Sequence, residues 1–281
     1  MLYLITAMYA EAQPLIRQYQ LKKENAQTRF QVFSNESQCV RLIITGTGMI
    51  AAAAAVGFFC TAYPPGEHDF LVNIGICAGA PMQDGLFLCS KITEMTTGKT
   101  FYPDLLYRHS LLEASIFTSA GPLRQEDLAQ SHKTMLYDME ASAVYQAGSY
   151  WFGPHQMCFL KTISDSGENR DITPMQVQIR MQDEMDAIVL FLDRLHAAGA
   201  KMQTKNHGLL KSADEIAERL CRDLCCSCVM AASVRQYIRY GMLSGTYDPN
   251  VIQSMYEEQK LPCRNKREGK RCFEELKKRL L

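Results

Sequence analysis

Short apolar runs alternate with helix-patterned stretches through the first two hundred residues, and no other feature narrows the fold as far. Residues 2–7, 70–74 and 157–163 are apolar runs too short for helices, which marks them as buried strands. Residues 30–33 and 40–45 form another strand pair around the polar turn Ser34-Asn35-Glu36-Ser37, a hairpin signal. Residues 85–89 and 113–118 add two more strands. Helices are predicted over 11–20, with Pro14 near the start where its missing N–H does no harm, over 49–61, and from Thr173-Pro174 to about 198. Loops are predicted over 75–81 (Gly-Ile-Cys-Ala-Gly-Ala-Pro) and 96–104. This order means an α/β fold with a largely parallel sheet, whose ligands sit beyond the carboxyl ends of the strands. Glu11, Gly46, Gly75 and Asp165 fall there in this reading.

Two glycine- and acid-bearing stretches are candidates for chemistry. Thr45-Gly46-Thr47-Gly48 opens the Ala-rich helix from Met49, and its backbone N–H groups could cradle an anion. Tyr137 to Tyr145 reads Y-D-M-E-A-S-A-V-Y, with Asp138 as the expected N-cap and Glu140 in the first helical turn. Small residues from Ala141 to Ala143 allow close approach, while Val144, Ala147 and Trp151 continue an apolar stripe. An ordinary capped helix accounts for this stretch as well as a site does.

Charge and cysteine content bound the function. The 281 residues sum to no net charge, but residues 261–281 carry eight Lys/Arg against three Glu, so the tail is net +5 and the rest net −5. The first residues carry no basic leader, and the longest apolar run, 49–63, is too short and Ala-rich to span a bilayer, so a cytoplasmic protein without membrane contact is expected. Eleven cysteines without secretory features fit reduced thiols better than a disulfide framework.

Ala7-Met8-Tyr9-Ala10-Glu11, the segment from Gly46 to Ala53, Asn73-Ile74-Gly75-Ile76-Cys77-Ala78-Gly79, Asp138-Met139-Glu140-Ala141-Ser142-Ala143 and Ile163-Ser164-Asp165 together resemble one family. It is the nucleoside phosphorylase and nucleosidase superfamily, in particular the methylthioadenosine/S-adenosylhomocysteine nucleosidases. The resemblance covers roughly residues 1–200 and implies a nucleoside-phosphorylase-like mixed sheet flanked by helices. It implies catalysis by Asp165, the acid or hydrogen-bond partner at purine N7, and Glu11, which would position and deprotonate water. Glu140 would hold the ribose hydroxyls and Met139 would pack against the sugar, with Cys77 and Ala78 also in the binding site. Lys161 stands where the family usually has Arg, a point charge in place of a planar fork. Residues 118–123 (Thr-Ser-Ala-Gly-Pro-Leu) lack the aromatic the family places near the base, which leaves Phe101 or Tyr102 to stack instead.

Breaking a purine N-glycosidic bond needs an acid at the leaving base and acceptors around a sugar of oxocarbenium character. Glu11 repels phosphate and suits water, so hydrolysis of a purine nucleoside by a homodimer is expected, with no cofactor and no metal. Phosphate-dependent phosphorolysis is one alternative. A non-catalytic nucleoside-binding scaffold whose tail contacts a partner is the other. Asp165 in Ser164-Asp165-Ser166-Gly167 also reads as a plain turn.

Residues 205–281 lie outside the resemblance and form a second, helical domain after a first spanning 1–204. Ser212-Ala213-Asp214-Glu215 is a capping box that predicts a helix start, Gly241 and Gly245 predict its end, and two further helices are expected over 251–260 and 272–281. Cys221, Cys225 and Cys228 have the C-x3-C-x2-C spacing of radical S-adenosylmethionine enzymes, but on a predicted helix they read as buried thiols of one face. The basic run from Arg264 to Arg271 has no aromatics, so nucleic-acid contact there would be to phosphates, with a protein partner or a solvated helix end as the other readings.

Overall fold

A computed structural model describes residues 1–25, 28–80, 85–122, 134–165 and 172–280. The predicted turn residues Ser166 and Gly167, loop residue Pro81 and residue Leu123 lie outside these. The chain divides into two units, Met1–Gly199 and Ala200–Leu281.

Among the described residues the first unit is built on ten strands: β1 (Leu2–Thr6), β2 (Lys22–Lys23), β3 (Gln31–Asn35), β4 (Val40–Ile44), β5 (Phe70–Ala80), β6 (Leu86–Glu94), β7 (Thr100–Phe101), β8 (Leu112–Thr118), β9 (Met135–Asp138) and β10 (Met157–Asp165). The sheet order is β10-β6-β8-β9-β5-β1-β4-β3-β2, with β7 on β6 and β10 also on β5. Strands β5, β10, β6, β8 and β9 therefore close on themselves. The sheet is mixed rather than largely parallel: β1 pairs parallel with β4 and β5, while β10–β6, β5–β9 and the hairpin β3–β4 are antiparallel.

Side-chain alternation along β1 sorts the core. Leu2 and Leu4 face a cluster with Leu15 of α1 (Tyr9–Gln18), Val177 and Met181 of α4 (Pro174–Asp183), and Ile188 and Leu192 of α5 (Met185–Asp223). Tyr3 and Ile5 face a second cluster with Ala52, Val56 and Phe59 of α2 (Met49–Ala62), and Val144 of α3 (Ala141–Gly148). The carboxyl ends of β1 and β4 thereby lie level with the middle of β5, and that of β10 lies beside Ala78 near its end.

Several local expectations fail for tertiary reasons. Residues 75–80 continue β5 instead of forming a loop, and Thr100–Phe101 puts a strand inside the loop expected over 96–104. Helix α1 begins at Tyr9, so Pro14 is interior. The helix expected from 174 to 198 breaks at Glu184, and α5 then runs without interruption to Asp223. Ser212 starts no helix: it lies inside α5, whose positions Ala213, Ala217 and Leu220 beyond it form a buried stripe with Leu224.

The second unit packs the end of α5 with α6 (Cys228–Ser244), α7 (Pro249–Glu257) and α8 (Lys266–Leu280) around Leu220, Val234, Ile238, Ile252, Met255, Phe273 and Leu276. Gly241 lies inside α6, where Tyr247 packs on it, and Gly245, with φ 74°, caps the end. Cys221, Cys225 and Cys228 do not share a helix face: Cys221 is on α5, Cys225 turns with φ 50°, and exposed Cys228 opens α6. Helix α8 begins at Lys266, not at residue 272. A Cβ on Gly269 would lie 1.8 Å from the Leu224 carbonyl oxygen, so α8 meets the end of α5 backbone to backbone. Among the described residues no helix is long and apolar enough to cross a membrane.

Candidate active site

Glu11 occupies the third position of α1 and is 3% exposed. Its Oε2 accepts the N–H groups of Ala7 (2.8 Å) and Met8 (2.9 Å), and its Oε1 accepts that of Ile76 (2.9 Å). Glycine at 75 is what lets the carboxylate reach β5, since a Cβ there would sit 2.5 Å from Oε1. Burial raises the pKa of Glu11 above the usual carboxylate value, outweighing Lys161 and the three N–H groups, which act the other way. A fixed carboxylate with a raised pKa suits a general base.

Lys161 is a buried charge following the apolar residues Met157–Leu160 of β10, and a buried charge needs a partner. It lies opposite Gly75 in register, 2% exposed, with Nζ 2.9 Å from Asp138 Oδ2. Burial opposes its charge, but Asp138, Glu140 and Glu11 together outweigh this and hold the lysine protonated, its pKa above the ordinary value.

Asp138 is therefore no N-cap. It ends β9, where Oδ1 accepts the Thr118 hydroxyl (2.8 Å) and Oδ2 accepts the Ala141 N–H (2.8 Å) beside Lys161. Glu140 is the N-cap in its place. Its Oε1 accepts the Gly48 N–H at 2.7 Å, so the glycine turn before α2 receives an anion from within the chain. Gly48 needs to be glycine because φ there is 96°.

Burial first, then Asp138, pushes the Glu140 carboxyl up to about 7. A raised folded-state pKa contributes stability that is present below the unfolded value near 4.5 and is lost as pH rises through about 7. Glu140→Gln keeps an acceptor for Gly48, so it should melt above the wild type at pH 8.5 and gain little at pH 4.5. The gain is bounded by about 3 kcal/mol. Thermal melts of both proteins at the two pH values check this, and equal differences at both would contradict it.

Asp165 closes β10 beside Ala78, across a register shift after Ile163. The Ser164 hydroxyl reaches its Oδ2 at 2.7 Å and the Cys77 carbonyl at 3.2 Å, which ties the carboxylate to β5. Buried Cys77 directs its thiol to the Thr162 carbonyl (3.6 Å).

Ala7, Met8, Glu11, Thr47, Ile76, Cys77, Ala78, Ser119, Pro122, Tyr137, Asp138, Met139, Glu140, Ser164 and Asp165 line one cavity of about 400 Å³. Of the residues predicted from the sequence, Glu11, Cys77, Ala78, Met139, Glu140 and Asp165 thus converge, and Lys161 is tied to them through Asp138. Phe101 and Tyr102 do not line the cavity: Phe101 stacks on Tyr145, with ring centroids 5.0 Å apart, and Tyr102 is exposed. Sequence reasoning missed Asp138 and Ser164 as site groups. The unpaired lysine of a buried strand was the signal that called for Asp138. Among the described residues no cluster of three or more His, Cys, Asp or Glu side chains is placed to hold a metal ion.

The fold has solved counterparts. A methylthioadenosine/S-adenosylhomocysteine nucleosidase from Colwellia psychrerythraea 34H, in complex with adenine, superposes with a TM-score of 0.55 at 18% identity, covering 70% of this chain and 95% of its own. The corresponding nucleosidase of S. pneumoniae, with the transition-state inhibitor MT-ImmA, gives 0.55 at 15% identity over 69% and 99%. Futalosine hydrolase of Helicobacter pylori strain 26695 gives 0.52 at 13% identity over 70% and 97%. The fold is that of the nucleosidases. No protein-family model matches the sequence, and no curated protein sequence is significantly similar to it. The nucleosidase fold accounts for about two thirds of the chain and leaves a helical region beyond it.

Proposed function

We propose that the first unit is a purine nucleosidase that hydrolyses the N-glycosidic bond with an activated water. The observation that carries this is the convergence of Glu11, Glu140 and Asp165 on one cavity, with Glu11 fixed by three backbone N–H groups. Asp165 supplies the proton or hydrogen bond at the leaving base, Glu140 accepts the ribose hydroxyls beside Met139, and Glu11 takes the proton of the attacking water. Lys161 and Asp138 hold the charge balance beneath them. Four carboxylates line the cavity, Asp138 being paired with Lys161, and together they oppose a phosphate dianion and favour water, which supports hydrolysis over phosphorolysis.

A second cavity, sharing Met8 and Ile76 with the first, is lined by Tyr9, Ile172, Pro174, Met175 and Val177. It supports a nucleoside whose 5′ substituent is apolar, such as a 5′-modified adenosine. The unit acts as a homodimer in this reading, and eleven free thiols suit a cytoplasmic setting. The test is base release from a panel of purine nucleosides by the full-length protein. Turnover is expected to be fastest with an apolar 5′ group, and absence of base release from every member would leave the non-catalytic binding reading.

A further inference from the structure

The second unit is electrically unlike the first. Residues 200–281 hold sixteen Lys/Arg against ten Asp/Glu, a net +6, and residues 1–199 are therefore net −6. On α8 the charge is sorted by face. Gly269, Cys272, Phe273 and Leu276 are buried on one side, whereas Lys266, Arg267, Lys270, Arg271 and Lys278 are exposed and Lys277 is half-exposed. At 100° per residue these six cations fall on one arc with a single acid, Glu274.

The neighbouring acids are committed elsewhere. Glu258 and Glu275 pair with Lys260 and Arg279, and Glu268 accepts the Arg264 backbone N–H at 2.8 Å. Among the described residues no ion pair reaches Lys266, Arg267, Lys270 or Arg271. These four lie in the first two turns of α8, where the helix dipole is itself positive, and Lys266–Lys270 and Arg267–Arg271 are like charges one turn apart. A solvated helix end accounts for Lys277 and Lys278 in the last turn but not for the four cations of the first two turns. The free protein thus carries an arrangement that costs stability and that a polyanion would relieve.

We propose that the exposed face of α8 binds the phosphate backbone of a nucleic acid. Lys266 to Lys278 spans about 18 Å along the axis, enough to follow several phosphates of one strand or to cross a groove about 12 Å wide. Among the described side chains of α8 no aromatic or aliphatic one is exposed beside the cations, so the contact reads phosphates and not bases, and no exposed apolar face is seen there for a membrane surface.

The test is fluorescence anisotropy of a labelled DNA duplex of about 20 base pairs and an RNA of the same length, titrated with the full chain from about 50 to 200 mM salt. Binding is expected to weaken with a log–log salt slope of about −4. Combined Lys266→Gln, Arg267→Gln, Lys270→Gln and Arg271→Gln should weaken it at least ~10²-fold at the low-salt end and remove most of the slope. Base release from nucleosides should stay at the wild-type rate. The quadruple variant should melt no lower than wild type, because it relieves repulsion; if it does not fold, Lys270→Gln with Arg271→Gln should remove about half the slope. No binding at low salt, equal binding by a folded variant, or capture by phosphatidylglycerol vesicles without nucleic-acid binding would overturn the proposal.

Discussion

Asp165→Asn is expected to slow base release by about 10³-fold, within the range for losing a general acid, while nucleoside affinity changes little. The substitution keeps the shape of the side chain at the end of β10 and an acceptor for the Ser164 hydroxyl, so the tie to β5 survives. What it removes is the carboxyl that can give a proton to the departing base. Single-turnover rates and equilibrium binding of the same nucleoside separate the two effects. A variant turning over at the wild-type rate would take Asp165 out of the chemistry and return it to a plain strand-end turn.

Glu11→Gln should also reduce turnover by about 10³-fold, and by a different route. A glutamine cannot deprotonate water. It also cannot accept from Ala7, Met8 and Ile76 together, because its amide NH₂ must face at least one of those donors. The melting temperature should therefore fall too, by the equivalent of about 1–3 kcal/mol, the cost of an unsatisfied buried donor. Asp165→Asn carries no such penalty, so the pair distinguishes a residue that is both base and structural anchor from one that acts on the leaving group. Activity retained in a Glu11→Gln protein of lowered stability would leave Glu11 an anchor only.

Much of this was legible in the sequence because the chemistry-bearing residues sit at strand ends, where local patterns are strongest. Glu11 and Asp165 fall at such ends, while the roles of Glu11, Glu140 and Asp165 were implied by the resemblance to the nucleosidases. Features set by contacts far along the chain were hidden. Gly75 and Gly79 read locally as loop residues, but their place in β5 follows from neighbours that leave no room for a side chain: Glu11 for Gly75, and Ile163, whose Cδ1 would lie 2.3 Å from a Cβ on Gly79. Asp138 read as a cap because Lys161, its partner, is remote in sequence. The capping box at Ser212 lies inside α5, whose buried positions Ala213, Ala217 and Leu220 follow it, and the basic run read as a tail although Asn265, which accepts the N–H groups of Arg267 and Glu268, is a local start signal for α8. Phe101 and Tyr102 had no stacking signal beyond being aromatic, and the sheet took Phe101 against Tyr145.

The identity of the sugar product tests the central claim most directly. Full-length protein should be incubated with a purine nucleoside with and without inorganic phosphate, and the sugar product resolved chromatographically. The account predicts free base and free ribose sugar at a rate indifferent to phosphate. Ribose 1-phosphate, formed only when phosphate is present, would contradict it.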